Sequence, residues 1–180
     1  MKLRPEILLH PNIPKPLHGL APRVIKGQAW WDAVRRESYA KGEFRCWACG
    51  VHKAEAKFHK WLEAHELYAY DYPAGRITFI EAVALCHACH NFIHSGRLAA
   101  LTAKGEITQE RAAIILAHGE AVLRNAGLVR PERPRVVAPW GAWRMVLDGV
   151  AYGPRHASFA DWFAFYNGCP PETLDSVSPA

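Results

Sequence analysis

Four of the five cysteines in this chain stand in two Cys-x-x-Cys pairs, Cys46/Cys49 and Cys86/Cys89, with residues 50–85 between them. Such a pair turns back so that both sulfurs face one ion. Two pairs complete a tetrahedral thiolate site, the geometry zinc prefers. Gly50, directly after the first pair, has no Cβ and lets the loop turn its N–H groups toward the sulfurs. The same thiolates suit an iron–sulfur cluster, and His52 or His87 is close enough in sequence to replace one cysteine. A thioredoxin-like redox pair would use one Cys-x-x-Cys and leave the other unexplained. Structural zinc accounts for all four cysteines and is the reading adopted. Cys169, beside Pro170, reads as an incidental thiol.

Histidine is the second chemical resource. The chain has ten, and His65, His87, His90 and His94 fall around the cysteines. His90 and His94 are four residues apart, so on a helix both imidazoles project from one face and can meet one ion. Hydrolysis of a phosphodiester needs a base near its working pKa, which imidazole supplies, and a cation beside the phosphate. Plainer roles exist for each. His65 suits a hydrogen-bonded position on a half-buried strand, His90 a contact to a zinc thiolate, and His94 a cap on the last carbonyls of a helix. A zinc deaminase would place His-x-Glu ahead of Pro-Cys-x-x-Cys. Here His65 and Glu66 are adjacent and Leu85 precedes the second pair, so that chemistry is set aside.

These groups need elements to position them. Residues 1–27 hold Pro5, Pro11, Pro14, Pro16 and Pro22, which predicts an extended arm. Helical spacing begins at Gln28 and stops at Gly42. Residues 61–70 and 76–85 read as two strands around the turn Asp71-Tyr-Pro-Ala-Gly75. The second cysteine pair enters a helix through His94, with more helix to Lys104. Another helix is expected from Gln109 to Asn125, capped by Thr108. Pro131, Pro134 and Pro139 mark a linker over 128–139. Beyond it, Asp148-Gly149 predicts a hairpin turn and Ser158 caps a short aromatic helix.

The order knuckle, hairpin, knuckle, helix carries Leu62-Glu-Ala-His65-Glu on the first strand and Cys86-x-x-Cys89-His90-x-x-x-His94 on the helix. Over residues 42–97 the chain resembles the HNH nucleases, the ββα-metal fold, in their four-cysteine zinc form. The resemblance implies a metal-dependent endonuclease. His65 would be the general base, and His90 and His94 the ligands of a catalytic Mg²⁺ or Mn²⁺. It also implies nucleic acid, most naturally DNA, as substrate and partner. Two positions depart from the family pattern. Its usual Asp or His before the hairpin histidine is Ala64 here, and its middle Asn is Glu81. Glu66 and Asp71 lie near enough to supply a replacement ligand, although strand alternation puts Glu66 opposite His65. The same domain without catalysis, binding nucleic acid or a protein, is the alternative from another functional class.

Composition agrees with a folded domain: 50% of the 180 residues are apolar, 22% charged and 11% aromatic. The net charge is +5, mildly basic and compatible with nucleic acid. Arg130, Arg133 and Arg135 concentrate charge in the linker and are candidate phosphate contacts. No apolar run approaches the roughly 18 residues of a membrane span. The segment from Met1 to Pro11 carries Glu6 and two prolines where a signal peptide needs an apolar stretch, so a cytoplasmic protein is expected. The fold expected is α+β. A zinc-stapled ββα-metal core lies within residues 28–127, flanked by helices, with an arm at 1–27 and a small aromatic module at 140–180 whose rings serve mainly as core.

Overall fold

In the computed structural model, which describes residues 2–132, 134 and 137–168, the proline-rich start coils into short turns instead of running extended. Pro5–Leu9 and Lys15–Leu17 are 3-10 turns, and Pro22–Lys26 is a five-residue helix, α1. Each carries proline in its first turn, where the missing N–H has no partner to lose and φ is already set for a helix. The apolar residues among the prolines also need cover, and Ile7, Leu8 and Leu17 are buried. The prolines exclude a long helix but favour these starts, which is why the extended-arm expectation fails.

The chain forms two compact units. The first contains Met1–Asn12, Gln28–Leu67 and Ile80–Arg133. It begins its regular structure with α2, Gln28–Lys41. The strands β1, Glu63–Asp71, and β2, Arg76–Leu85, are neighbours in the sheet. The helices α3, His87–Ile93, α4, Ser95–Ala103, and α5, Gln109–Asn125, follow. Thr108 caps α5 as its sequence predicts, its hydroxyl accepting from the Arg111 N–H at 3.1 Å. Ala82–Leu85 is buried at every position, so the end of β2 is covered on both faces. Val83, Leu85, Phe92, Leu98 and Ile115 share one core with Ile7 and Leu8.

The second unit contains Ile13–Gly27, Tyr68–Phe79 and Pro134–Ala180. Here β3, Arg144–Leu147, pairs in parallel with the start of β2, Ile77 opposite Met145. The strand β4, Val150–Tyr152, returns antiparallel through the Asp148-Gly149 turn, giving the order β1-β2-β3-β4. Ser158 caps α6, Phe159–Asn167, by accepting from the Asp161 N–H at 3.2 Å. Leu17, Ile77, Trp143 and Met145 form this unit's core. The aromatic helix is less buried than expected. Trp143 is core, but Phe159, Phe165 and Tyr166 are exposed, and Lys15 Nζ lies 4.9 Å from the Phe159 and Trp162 rings. Among the described residues the architecture is α+β, with a four-stranded sheet and six α-helices. None of those helices is long and apolar enough to cross a membrane.

Helices α3 and α5 approach closely because Gly119 has no side chain: a Cβ there would collide with the Phe92 ring. Gly119→Ala should therefore destabilise the first unit by about 1–3 kcal/mol, despite alanine's better helix propensity. Thermal melts should show the loss, and adding Phe92→Leu should recover part of it, since residues in contact are not additive.

Candidate metal centres

The first knuckle is a tight turn closed by Gly50 N–H donating to Cys46 O at 2.8 Å, with Gly50 at φ +80°. That left-handed conformation is one glycine adopts without strain. The Trp47 N–H donates to Ala84 O at 2.9 Å, fastening this knuckle to the end of β2. Cys86 follows as the N-cap of α3, with Cys89 in its first turn. The ligand atoms of Cys46, Cys49, Cys86 and Cys89 thus lie within 4.8 Å of one another. Hydrogen bonds from the other three thiols hold Cys46 well below the usual thiol range, while interaction with Cys46 and Cys49 pushes Cys86 and Cys89 up. Clustered thiols resist ionising together, and a divalent cation removes that conflict. This donor set can hold a metal ion such as zinc. His118 Nε2, on α5, reaches to 3.4 Å from Cys89 Sγ.

A second cluster unites His65, His90 and His94, whose ligand atoms also lie within 4.8 Å of one another. His65 comes from β1 and His90 from α3, while His94 stands at the junction of α3 and α4. His65 is 3% exposed. Its Nδ1 is 3.2 Å from His94 Nε2, and its Nε2 is 3.0 Å from His10 Nδ1. Burial, then the neighbouring His10, His90 and His94, lower the His65 pKa to about 2. Burial and the charges of His90 and Arg97 lower His94 to about 4. Both imidazoles are therefore neutral near pH 7, the form that offers a lone pair to a metal.

A directional chain of hydrogen bonds stands behind this cluster. Arg111 Nη2 is 2.9 Å from His87 Nε2. Arginine has only donors, so His87 Nε2 accepts and Nδ1 carries the proton. His87 Nδ1 donates to Glu63 Oε1 at 2.7 Å, and His90 Nδ1 donates to Glu63 Oε2. Burial alone would raise the Glu63 pKa, but the bonds from His87 and His90 outweigh it and hold the carboxyl well below its usual range. With Nδ1 engaged, His90 keeps Nε2 free for a ligand bond. A carboxylate orienting a histidine in this way is the usual support of a metal-binding imidazole.

His65, His90 and His94 are thus brought together, as are the four cysteines. Sequence reading passes over Glu63, His10, Arg111 and His118. Glu63 had a signal, because strand alternation puts residues 63 and 65 on one face. The other three come from distant segments and had none. Glu66 and Asp71 do not join the cluster; Asp71 accepts from the Ala74 N–H at 3.0 Å within its turn. Glu81 pairs with Arg4 at 2.6 Å. Arg130 is exposed, 3.1 Å from Glu120 and over the Phe92 ring. Arg133, Arg135 and Cys169 lie outside the described residues.

No protein-family model matches the chain, and neither a curated protein nor a solved structure matches it.

The thiolate cluster yields a direct test. Structural zinc contributes about 10–16 kcal/mol in zinc-finger peptides, comparable to the whole stability of a small domain. Cys86→Ser should lose bound zinc by elemental analysis, and the first unit should lose its cooperative melt. Strong chelator should do the same to the wild-type chain.

Proposed function

We propose that this chain is a metal-dependent endonuclease of the HNH kind, hydrolysing nucleic-acid phosphodiester bonds on a zinc-stapled ββα-metal core. One observation carries the reading. A strand histidine and two histidines one turn apart converge beside a four-thiolate cluster, with a carboxylate bound behind one of them. The Cys86–Cys89 knuckle opens the helix that bears His90, so the thiolate cluster fixes where that helix starts.

In this reading His65 changes role, from general base to ligand. Both its ring nitrogens face other imidazoles. His65, His90 and His94 would hold the ion, and Glu63 keeps His90 in the tautomer with Nε2 unprotonated. A divalent cation held there offsets the charge that builds on the leaving oxygen of a phosphodiester. Imidazole ligands bring no negative charge of their own, and Arg97, exposed at the start of α4 and close enough to influence His94, adds positive charge for a phosphate. An all-nitrogen donor set also favours a transition ion such as Mn²⁺, Ni²⁺ or Zn²⁺ over Mg²⁺, which prefers oxygen.

The zinc-loaded wild-type chain should nick plasmid DNA with one of these ions. His65→Ala then separates the two roles for that residue. A lost ligand weakens metal binding and cleavage together, whereas a lost base costs about 10²–10⁴-fold in rate at unchanged metal affinity. Glu63→Gln should weaken the metal about 10–100-fold, because an amide accepts from only one of the two histidines and turns its NH₂ on the other. Zinc-loaded protein that cuts neither DNA nor RNA with Mg²⁺, Mn²⁺, Ni²⁺ or added Zn²⁺ would overturn the nuclease reading in favour of a non-catalytic binding domain.

A further inference from the structure

We infer that His10, from the N-terminal segment, is a built-in positioning residue of the three-imidazole site: it accepts the Nε2–H of His65 and so fixes the His65 tautomer that presents Nδ1 to the ion. The inference rests on the reading that His65, His90 and His94 hold a metal, and it brings in a part of the chain remote from the motif.

The tautomers follow from the contacts. His65 Nδ1 is the atom turned toward the cluster, 3.2 Å from His94 Nε2. A nitrogen that gives its lone pair to a metal cannot carry a proton, so the proton of neutral His65 sits on Nε2. Nε2 lies 3.0 Å from His10 Nδ1, which must then be the acceptor. The two rings meet edge to face, 5.0 Å between centroids at 89°. This is the arrangement that an in-plane N–H pointing at a neighbouring ring nitrogen permits. His65 is therefore supported from one side by His10, as His90 is by Glu63.

His10 is held firmly enough for that task. It terminates the Pro5–Leu9 turn, its N–H donating to Ile7 O at 3.0 Å, and Pro11 restricts its backbone from the other side. Ile7 and Leu8, immediately before it, are buried in the first unit's core. Further upstream the Arg4 N–H donates to Trp47 O at 2.8 Å, and the Arg4 guanidinium pairs with Glu81 at 2.6 Å. The segment is thus anchored on the zinc knuckle and on β2, the elements that position the cluster. A side chain so placed offers its acceptor without first losing conformational freedom.

The test uses the full, zinc-loaded chain, with Mn²⁺ titrated calorimetrically. His10→Ala should weaken Mn²⁺ binding about 10–100-fold, the usual effect of removing a group that orients a ligand, with the zinc content of the thiolate site unchanged. His10→Asn places an amide oxygen near the position of Nδ1 and should restore most of the affinity, whereas His10→Leu, apolar and of similar bulk, should not. Equal affinity for wild type and His10→Ala would overturn the inference. Asparagine no better than leucine would also overturn it, because the acceptor would then be irrelevant. A wild-type chain that binds zinc at the cysteines but no Mn²⁺, Ni²⁺ or second Zn²⁺ would instead remove the metal site and the nuclease reading with it.

Discussion

Four sulfurs within 4.8 Å of one another cannot all ionise unless a cation lies among them. That constraint organises the first unit. The knuckle at Cys46–Cys49 is fastened to the end of β2 through Trp47 and Ala84, and the knuckle at Cys86–Cys89 starts α3. Drawing the sulfurs together therefore fixes the angle at which the helix leaves the hairpin. His90 then faces the strand that carries Glu63 and His65. The imidazole cluster is a geometric consequence of the thiolate cluster, although the two share no ligand.

The polar groups behind the imidazoles form a connected set. Arg111, His87, Glu63 and His90 each meet the next by a hydrogen bond, and the donor-only guanidinium sets the direction of the chain. Asn91, also buried, donates to His87 O at 2.9 Å and helps keep that ring in place. Such networks are costly when partly satisfied and rigid when complete. One donor departs from completeness: Arg111 Nε is buried without a hydrogen-bond partner among the described residues. Its guanidinium lies 4.6 Å from the Phe58 ring, an attraction that offsets some of that desolvation. Phe58 reaches this position with φ +74°, a left-handed backbone uncommon for a bulky side chain. Local strain is thus accepted where a ring covers the arginine.

Much of the framework is legible in the sequence because it depends on local rules. Cys-x-x-Cys with a following glycine specifies a knuckle, alternation specifies β1 and β2, and Thr108 and Ser158 specify helix starts. The i, i+4 spacing of His90 and His94 puts them on one side of a helix. Period two even places Glu63 on the same strand face as His65. These features involve neighbours a few positions apart, whose relative placement backbone geometry dictates.

Contacts between distant segments are another matter. The proline content of residues 1–27 correctly excludes a long helix, yet it is silent on whether Ile7 and Leu8 join a core, and their burial is what brings His10 to His65. The roles of Arg111 and His118 likewise depend on how α5 packs, which follows from the space that Gly119 leaves for Phe92. The role of His65 turns on the same distinction. As a residue type it suits a base or a ligand equally. The donors and their local spacing are written in the order of the residues. Which nitrogen of each ring faces the cluster, and which faces a neighbouring side chain, is set by packing, because that depends on groups up to 55 residues away along the chain.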